Sequence, residues 1–201
     1  MMITYSADVT DAAVVDDTGI LPYISVCNSV GDELAISKLD NSTVNGTLIF
    51  NVPEDEENIG QFTDLTLNIV AGNVAAEITD FSLASIAAPF EINLSSTDDA
   101  TIKVETDFNE LSVPATTFTA VALSEGETVT NFTKDMIDLY PSATSDGASD
   151  MTIEIDMSDI DDYKSIFSVI LYNEENSIYL DAGELEYKNP LFSNSVLGLI
   201  K

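Results

Sequence analysis

Apolar and polar residues alternate along much of this chain. Ile3, Tyr5, Ala7 and Val9 are separated by Thr4, Ser6 and Asp8, and Leu65, Leu67, Ile69 and Ala71 by Thr66, Asn68 and Val70. The same pattern runs through Phe90, Ile92 and Leu94, through Ile102 and Val104, and through Met151, Ile153, Ile155 and Met157. A strand sends successive side chains to opposite faces, so a period of two predicts strands with one face in a core and one in water. The intervening positions are rich in Ser and Thr, which suit a solvated strand face. Turn-forming clusters punctuate the runs: Asp17-Thr18-Gly19, Asn45-Gly46, Pro53 to Gly60, Ala71-Gly72-Asn73, Ser95 to Asp99, Glu125-Gly126 and Pro141 to Gly147.

The clearest predicted hairpin has arms Ile166–Tyr172 and Ser177–Leu180 about the turn Asn173-Glu174-Glu175-Asn176. Helix is scarce. Ser158 to Lys164 reads as one or two turns, with Ser158 as the cap and acids at the positive end of the dipole. Thr133 to Tyr140 is a second short candidate, ended by Pro141. No predicted helix is long enough to alternate with the strands of a parallel sheet. The expected fold is therefore all-β, an antiparallel β-sandwich of jelly-roll or immunoglobulin-like type with one or two short helices. It lacks the Cys and Trp hallmarks of the immunoglobulin domain. Residues 1–201 read as a single β-rich unit. A seam near Gly72-Asn73 would leave an N-terminal lobe, 1–72, and a sandwich, 73–201.

Composition sharpens this picture. The chain has 201 residues, 45% of them hydrophobic, and 36 acids against 6 cations, a formal net charge of −30. Its mean hydropathy is slightly positive, +0.14. High charge produces disorder only with low hydrophobicity, so the chain reads as folded and the charge as a property of its surface. Dense carboxylates repel over a screening length of about 8 Å in physiological salt and only about 3 Å near 1 M. A saline habitat explains such a surface.

The absences exclude more than the presences suggest. All cations are lysines, at 38, 103, 134, 164, 188 and 201, and there is no His, Arg or Trp. Without His, neither a Ser–His–Asp nor a Cys–His catalytic unit can be built within the chain. A zinc site of the Cys/His type is excluded too, because Cys27 is the sole soft ligand. Cys27 reads as a small buried core residue in the apolar run from Ile20. Six scattered lysines make no cationic groove, so direct binding of nucleic acid and insertion into a membrane are not expected. No signal peptide or transmembrane segment is visible, which places the chain in the cytoplasm of a producing cell or inside a particle assembled there.

Two features could carry function. Calcium takes oxygen ligands, and the densest acidic stretch, Asp146 to Asp162, offers Asp156, Asp159, Asp161 and Asp162 as candidates. That stretch lacks EF-hand spacing, and a solvated acidic face is the plainer reading; no other cofactor is expected. The second feature is the stretch Pro190 to Lys201, with six large apolar residues in twelve: Leu191, Phe192, Val196, Leu197, Leu199 and Ile200. It reads either as a last strand on its own core or as an arm docking on a neighbouring subunit.

Together these readings favour a non-enzymatic structural protein of a virus particle from a saline environment, a capsid, capsid decoration (cement) or tail component. Its partners would be itself or other virion structural proteins, and it would act by self-assembly. A cell-surface or adhesive β-sandwich module is the alternative, with a carboxylate-based enzyme or ligand binder behind it. Architecture alone does not choose among them.

Overall fold

The computed structural model describes residues 1–10, 21–39, 43–52, 60–70, 75–84, 90–108, 117–146, 150–160 and 164–190. Among them are thirteen strands: β1 (Met2–Thr10), β2 (Tyr23–Cys27), β3 (Glu33–Lys38), β4 (Thr43–Ile49), β5 (Thr66–Val70), β6 (Ala75–Ala84), β7 (Glu91–Thr97), β8 (Thr101–Asp107), β9 (Thr117–Ser124), β10 (Ser142–Asp146), β11 (Asp150–Asp156), β12 (Lys164–Asn173) and β13 (Ile178–Lys188). Two short 3-10 turns, Gly60–Phe62 and Lys134–Asp138, lie wholly within the described residues, and Pro190 at their C-terminal limit is helical. The fold is all-β and sandwich-like, and every strand ladder is antiparallel.

The strands form a seven-stranded sheet, β10-β9-β12-β13-β3-β2-β5, and two three-stranded sheets, β4-β1-β6 and β11-β8-β7. Tyr179, Ile36 and Ser25 are successive cross-strand neighbours in the large sheet and share one face. Ile178, Leu180, Ile24 and Val26 therefore share the other. On that face β11-β8-β7 covers one half, through Ile102, Val104, Ile153 and Ile155 against Phe118, Val169 and Leu171. The sheet β4-β1-β6 covers the other half, through Ile3, Tyr5, Ala7 and Leu48 against Ile24 and Val26. Alternation is the cause: β1 buries Ile3, Tyr5, Ala7 and Val9, and a large apolar side chain such as Ile3 or Val9 removed from water contributes about 1.5–3 kcal/mol. The opposite face of the large sheet is covered in part by the segment after β9, where Phe132 packs on Val121, Ile170, Tyr172 and Tyr179.

A single residue pair, Tyr179 with Ile36, joins β13 to β3 and thus the two halves of the large sheet. A further bond holds this seam, Ser37 Oγ donating to the Ser177 carbonyl; the Thr47 N–H of β4 donates to the Asn176 carbonyl at 3.0 Å and ties the small sheet to the turn before β13. Pairing also crosses position 72, because β6 lies against β1 over nine residue pairs.

Three ladders among the described residues carry a register shift, β2–β3 between Val26 and Cys27, β12–β13 and β1–β6. In β13 the register shifts opposite Val169 and Ile170, Gly183 takes φ of 100°, and its N–H donates to Asp181 Oδ1 at 2.8 Å. Inward residues accordingly switch from Ile178 and Leu180 to Leu185 and Tyr187. In β6 the shift falls opposite Ser6 and Ala7, and the core-facing positions move from Ala76 and Ile78 to Phe81 and Leu83. Gly46 faces Tyr5 across the β1–β4 ladder, and an added Cβ there would stand 2.2 Å from the Tyr5 Oη.

The predicted hairpin is present as β12 and β13, and Lys134–Asp138 ends shortly before Pro141 as expected. The helix expected from Ser158 to Lys164 is described only at its two ends. Ser158 and Asp159 form a turn and Lys164 already belongs to β12. Asp156 Oδ1 accepts the Ser158 N–H at 2.9 Å, so the carboxylate two residues before holds this turn; residues 161–163 of the expected helix lie outside the described residues.

Candidate interaction surfaces

The charge pattern is the first property of the surface. Of the five described lysines, four lie against carboxylates: Lys103 with Glu105 at 2.6 Å, Lys134 with Glu174 at 3.5 Å, and Lys164 and Lys188 with Glu186 at 2.5 and 2.9 Å. The two lysines hold the Glu186 carboxyl below its ordinary range. These exposed pairs add little stability. Their effect is to neutralise the cations locally, so the described surface carries no cationic cluster and its far field is that of the excess carboxylates.

The fifth, Lys38, is fully buried. It faces Tyr23 across the β2–β3 ladder, its Nζ lies 5.4 Å from the Tyr23 ring centroid, and it donates to the Thr130 carbonyl. Burial lowers its ammonium to about 8, with Glu33 opposing the change. The Tyr23 phenol is pushed up by the same burial, then by Glu33 and Cys27. Lys38 thus anchors the segment after β9 to the large sheet.

The expected site residues divide between described and undescribed parts. Asp156 ends β11 and Asp159 is exposed in the following turn. Hydrogen bonds from Ser158 hold the Asp156 carboxyl below its ordinary range. Asp161 and Asp162 lie outside the described residues, as do Leu191, Phe192, Val196, Leu197, Leu199 and Ile200. Among the described residues no three acidic or Cys side chains converge in a way that could hold a metal ion. Cys27 is half-buried, where a core residue was expected. It sits on the opposite face of β2 from Ile24 and Val26, and Asn68 Nδ2 donates to its Sγ at 3.3 Å.

The hollows are small or open. One of about 210 Å³ lies at the seam and is lined by Glu33, Ile36, Phe90, Tyr179 and Asp181. A second, of about 250 Å³, lies between Tyr5, Asn45, Phe81, Ser82, Glu175 and Asn176. A third, of about 490 Å³, has Glu125 and Lys164 as its charged lining. The first two fall below the roughly 300–1,000 Å³ of ordinary small-molecule sites.

Exposed apolar side chains are informative in one place. Val30 and Leu139 stand singly on turns, which is ordinary. Phe81 and Leu83 are 62% and 53% exposed, although they pair with the buried Tyr5 and Ile3 on the core-facing side of their sheet. The large sheet does not extend over them. They also lie on β6, an edge strand of its sheet. Alternation announced neither this overhang nor the burial of Lys38. The spacing Ala76, Ile78, Phe81, Leu83 did carry a signal, since its break in parity marks the bulge.

No helix among the described residues is long and apolar enough to cross a membrane. Compared with protein-family models, with curated proteins and with solved structures, the chain matches none.

Proposed function

We propose that the chain is a non-enzymatic structural protein of a virus particle from a saline environment, a capsid, capsid decoration or tail component that works by self-assembly. The observation that carries this reading is the arrangement of charge on an all-β, sandwich-like body. A net −30 is displayed on a body of 201 residues, and the described surface lysines are spent on neighbouring carboxylates. Copies of such a body repel at low ionic strength and approach once salt screens them. The absence of His and Arg from the sequence and the packed, strand-built body fit a building block better than a catalyst.

The test is light scattering and negative-stain imaging of the purified chain from about 0.1 to 3 M NaCl, a range over which screening shortens several-fold. Uniform assemblies that grow in population with salt are expected. A monomer at every concentration refutes the reading.

A further inference from the structure

We propose that the edge of β6 left open among the described residues, with Phe81 and Leu83, is the acceptor for the apolar segment 191–201 of a second copy of this chain, which adds to it as a strand. The proposal rests on the assembly reading above and names the contact that would carry it.

The acceptor is an edge with a hydrophobic margin. β6 is ten residues long and pairs with β1 on one side alone among the described residues. An unpaired edge presents a row of backbone donors and acceptors to any extended segment. Phe81 and Leu83 supply apolar area beside that row, and a strand added there would extend the sheet over which they project.

Charge selects the occupant. Glu77 and Asp80 lie on β6, with Asp8 opposite Glu77 on β1. Joining β6 to the β6 of another copy would bring like charges together. The stretch from Tyr187 to Lys201 is the longest acid-free run in the chain, fifteen residues; Lys188 is already held by Glu186, so Lys201 is the cation the arm brings. It is the part of a −30 chain that can approach this acidic edge with attraction.

Geometry favours another copy over the same one. Glu175 and Asn176, in the turn before β13, line the same hollow as Phe81 and Ser82. From that turn β13 runs away from β6, and Asn189 beyond its end donates to the Ile160 carbonyl at 2.6 Å. The nine steps from Ile178 to Tyr187 cover about 30 Å. Eleven residues reach at most about 36–40 Å. A segment starting at Leu191 would spend most of its length returning to its own β6, leaving little to pair with it. A neighbouring copy has no such gap to cross.

The test uses full-length chains in molar NaCl and sedimentation velocity. The acceptor variant carries Phe81→Glu and Leu83→Glu; the arm variant carries Phe192→Asp and Leu197→Asp. Each alone should weaken assembly at least tenfold while keeping the wild-type circular dichroism spectrum. Mixing the two should restore one-to-one pairs, because one copy brings an intact arm and the other an intact edge. If the wild type assembles and the acceptor variant assembles equally well, this contact is wrong and the assembly reading stands. An arm variant that unfolds places the segment in its own core and overturns the proposal. A wild type that remains monomeric refutes both.

Discussion

Replacing Lys38 with Met should remove a pH dependence of stability that the wild type shows between pH 8 and about 10. The lysine is fully buried, and burial takes its ammonium from an ordinary 10.5 to about 8. Below pH 8 both folded and unfolded chains hold the proton. Between 8 and 10.5 the folded chain has released it and the unfolded chain has not, so the unfolded state binds more protons and stability rises with pH. The gap corresponds to about 3 kcal/mol when fully developed. The rise will be cut short from above. Burial pushes the Tyr23 and Tyr187 phenols upward, so above pH 10 the unfolded chain ionises first and stability falls again. The amine of Met1 is also lowered by burial, but its window lies below pH 8 and is common to both proteins. Urea unfolding at constant ionic strength, at half-unit steps from pH 7 to 10, reads the slope directly. Lys38→Met also loses the bond to the Thr130 carbonyl, which displaces its curve by a constant amount, whereas loss of the titrating ammonium is what flattens it between pH 8 and 10. A wild-type curve that is flat from 8 to 10, or a Met variant with an unchanged slope, would show that Lys38 is not held as its surroundings require.

Gly46→Ala should destabilise the fold by about 1–3 kcal/mol, because the new methyl meets the Tyr5 ring at 2.2–2.7 Å; thermal unfolding measures this, and an unchanged melting point would mean the ring has room to move. Tyr187→Phe should be neutral or stabilising by about 1 kcal/mol, since the buried Tyr187 Oη finds no hydrogen-bond partner among the described residues and its removal spares a desolvated hydroxyl; a clear loss in urea unfolding would reveal a partner. Monovalent salt should raise the melting temperature gradually and alike for NaCl and KCl as screening shortens. Repeating that series with millimolar calcium tests the acidic turn: a saturable increment lost in Asp156→Asn with Asp159→Asn assigns an ion to it, and no increment removes that assignment.

The strands were legible because alternation is a local property. Ile3 to Val9 and Met151 to Met157 declare two faces whatever surrounds them, and Glu174 with its neighbours declares a turn between two apolar arms. Scarcity of helix followed from the same spacing. The acidic exterior was legible as well, since 36 carboxylates cannot enter a core of this size. Of the helix expected from Ser158 to Lys164, the turn at Ser158 and Asp159 and the start of β12 at Lys164 are described, and residues 161–163 lie outside the described residues.

What alternation cannot state is which surface covers a given face. Lys38 shares the parity of Ile36, yet whether that face meets water or the segment after β9 depends on a contact with Thr130, ninety-two residues away. Phe81 and Leu83 carry the pattern of core residues and align with Tyr5 and Ile3, but the opposing sheet does not cover them. The order of the seven-stranded sheet, the single pair that joins its halves and the placing of both small sheets on one face are equally long-range. The sequence by itself determined which side chains could be buried, because that depends on neighbours one and two residues away. The tertiary structure decided which of them were, because burial needs a partner surface, and that partner comes from distant parts of the chain.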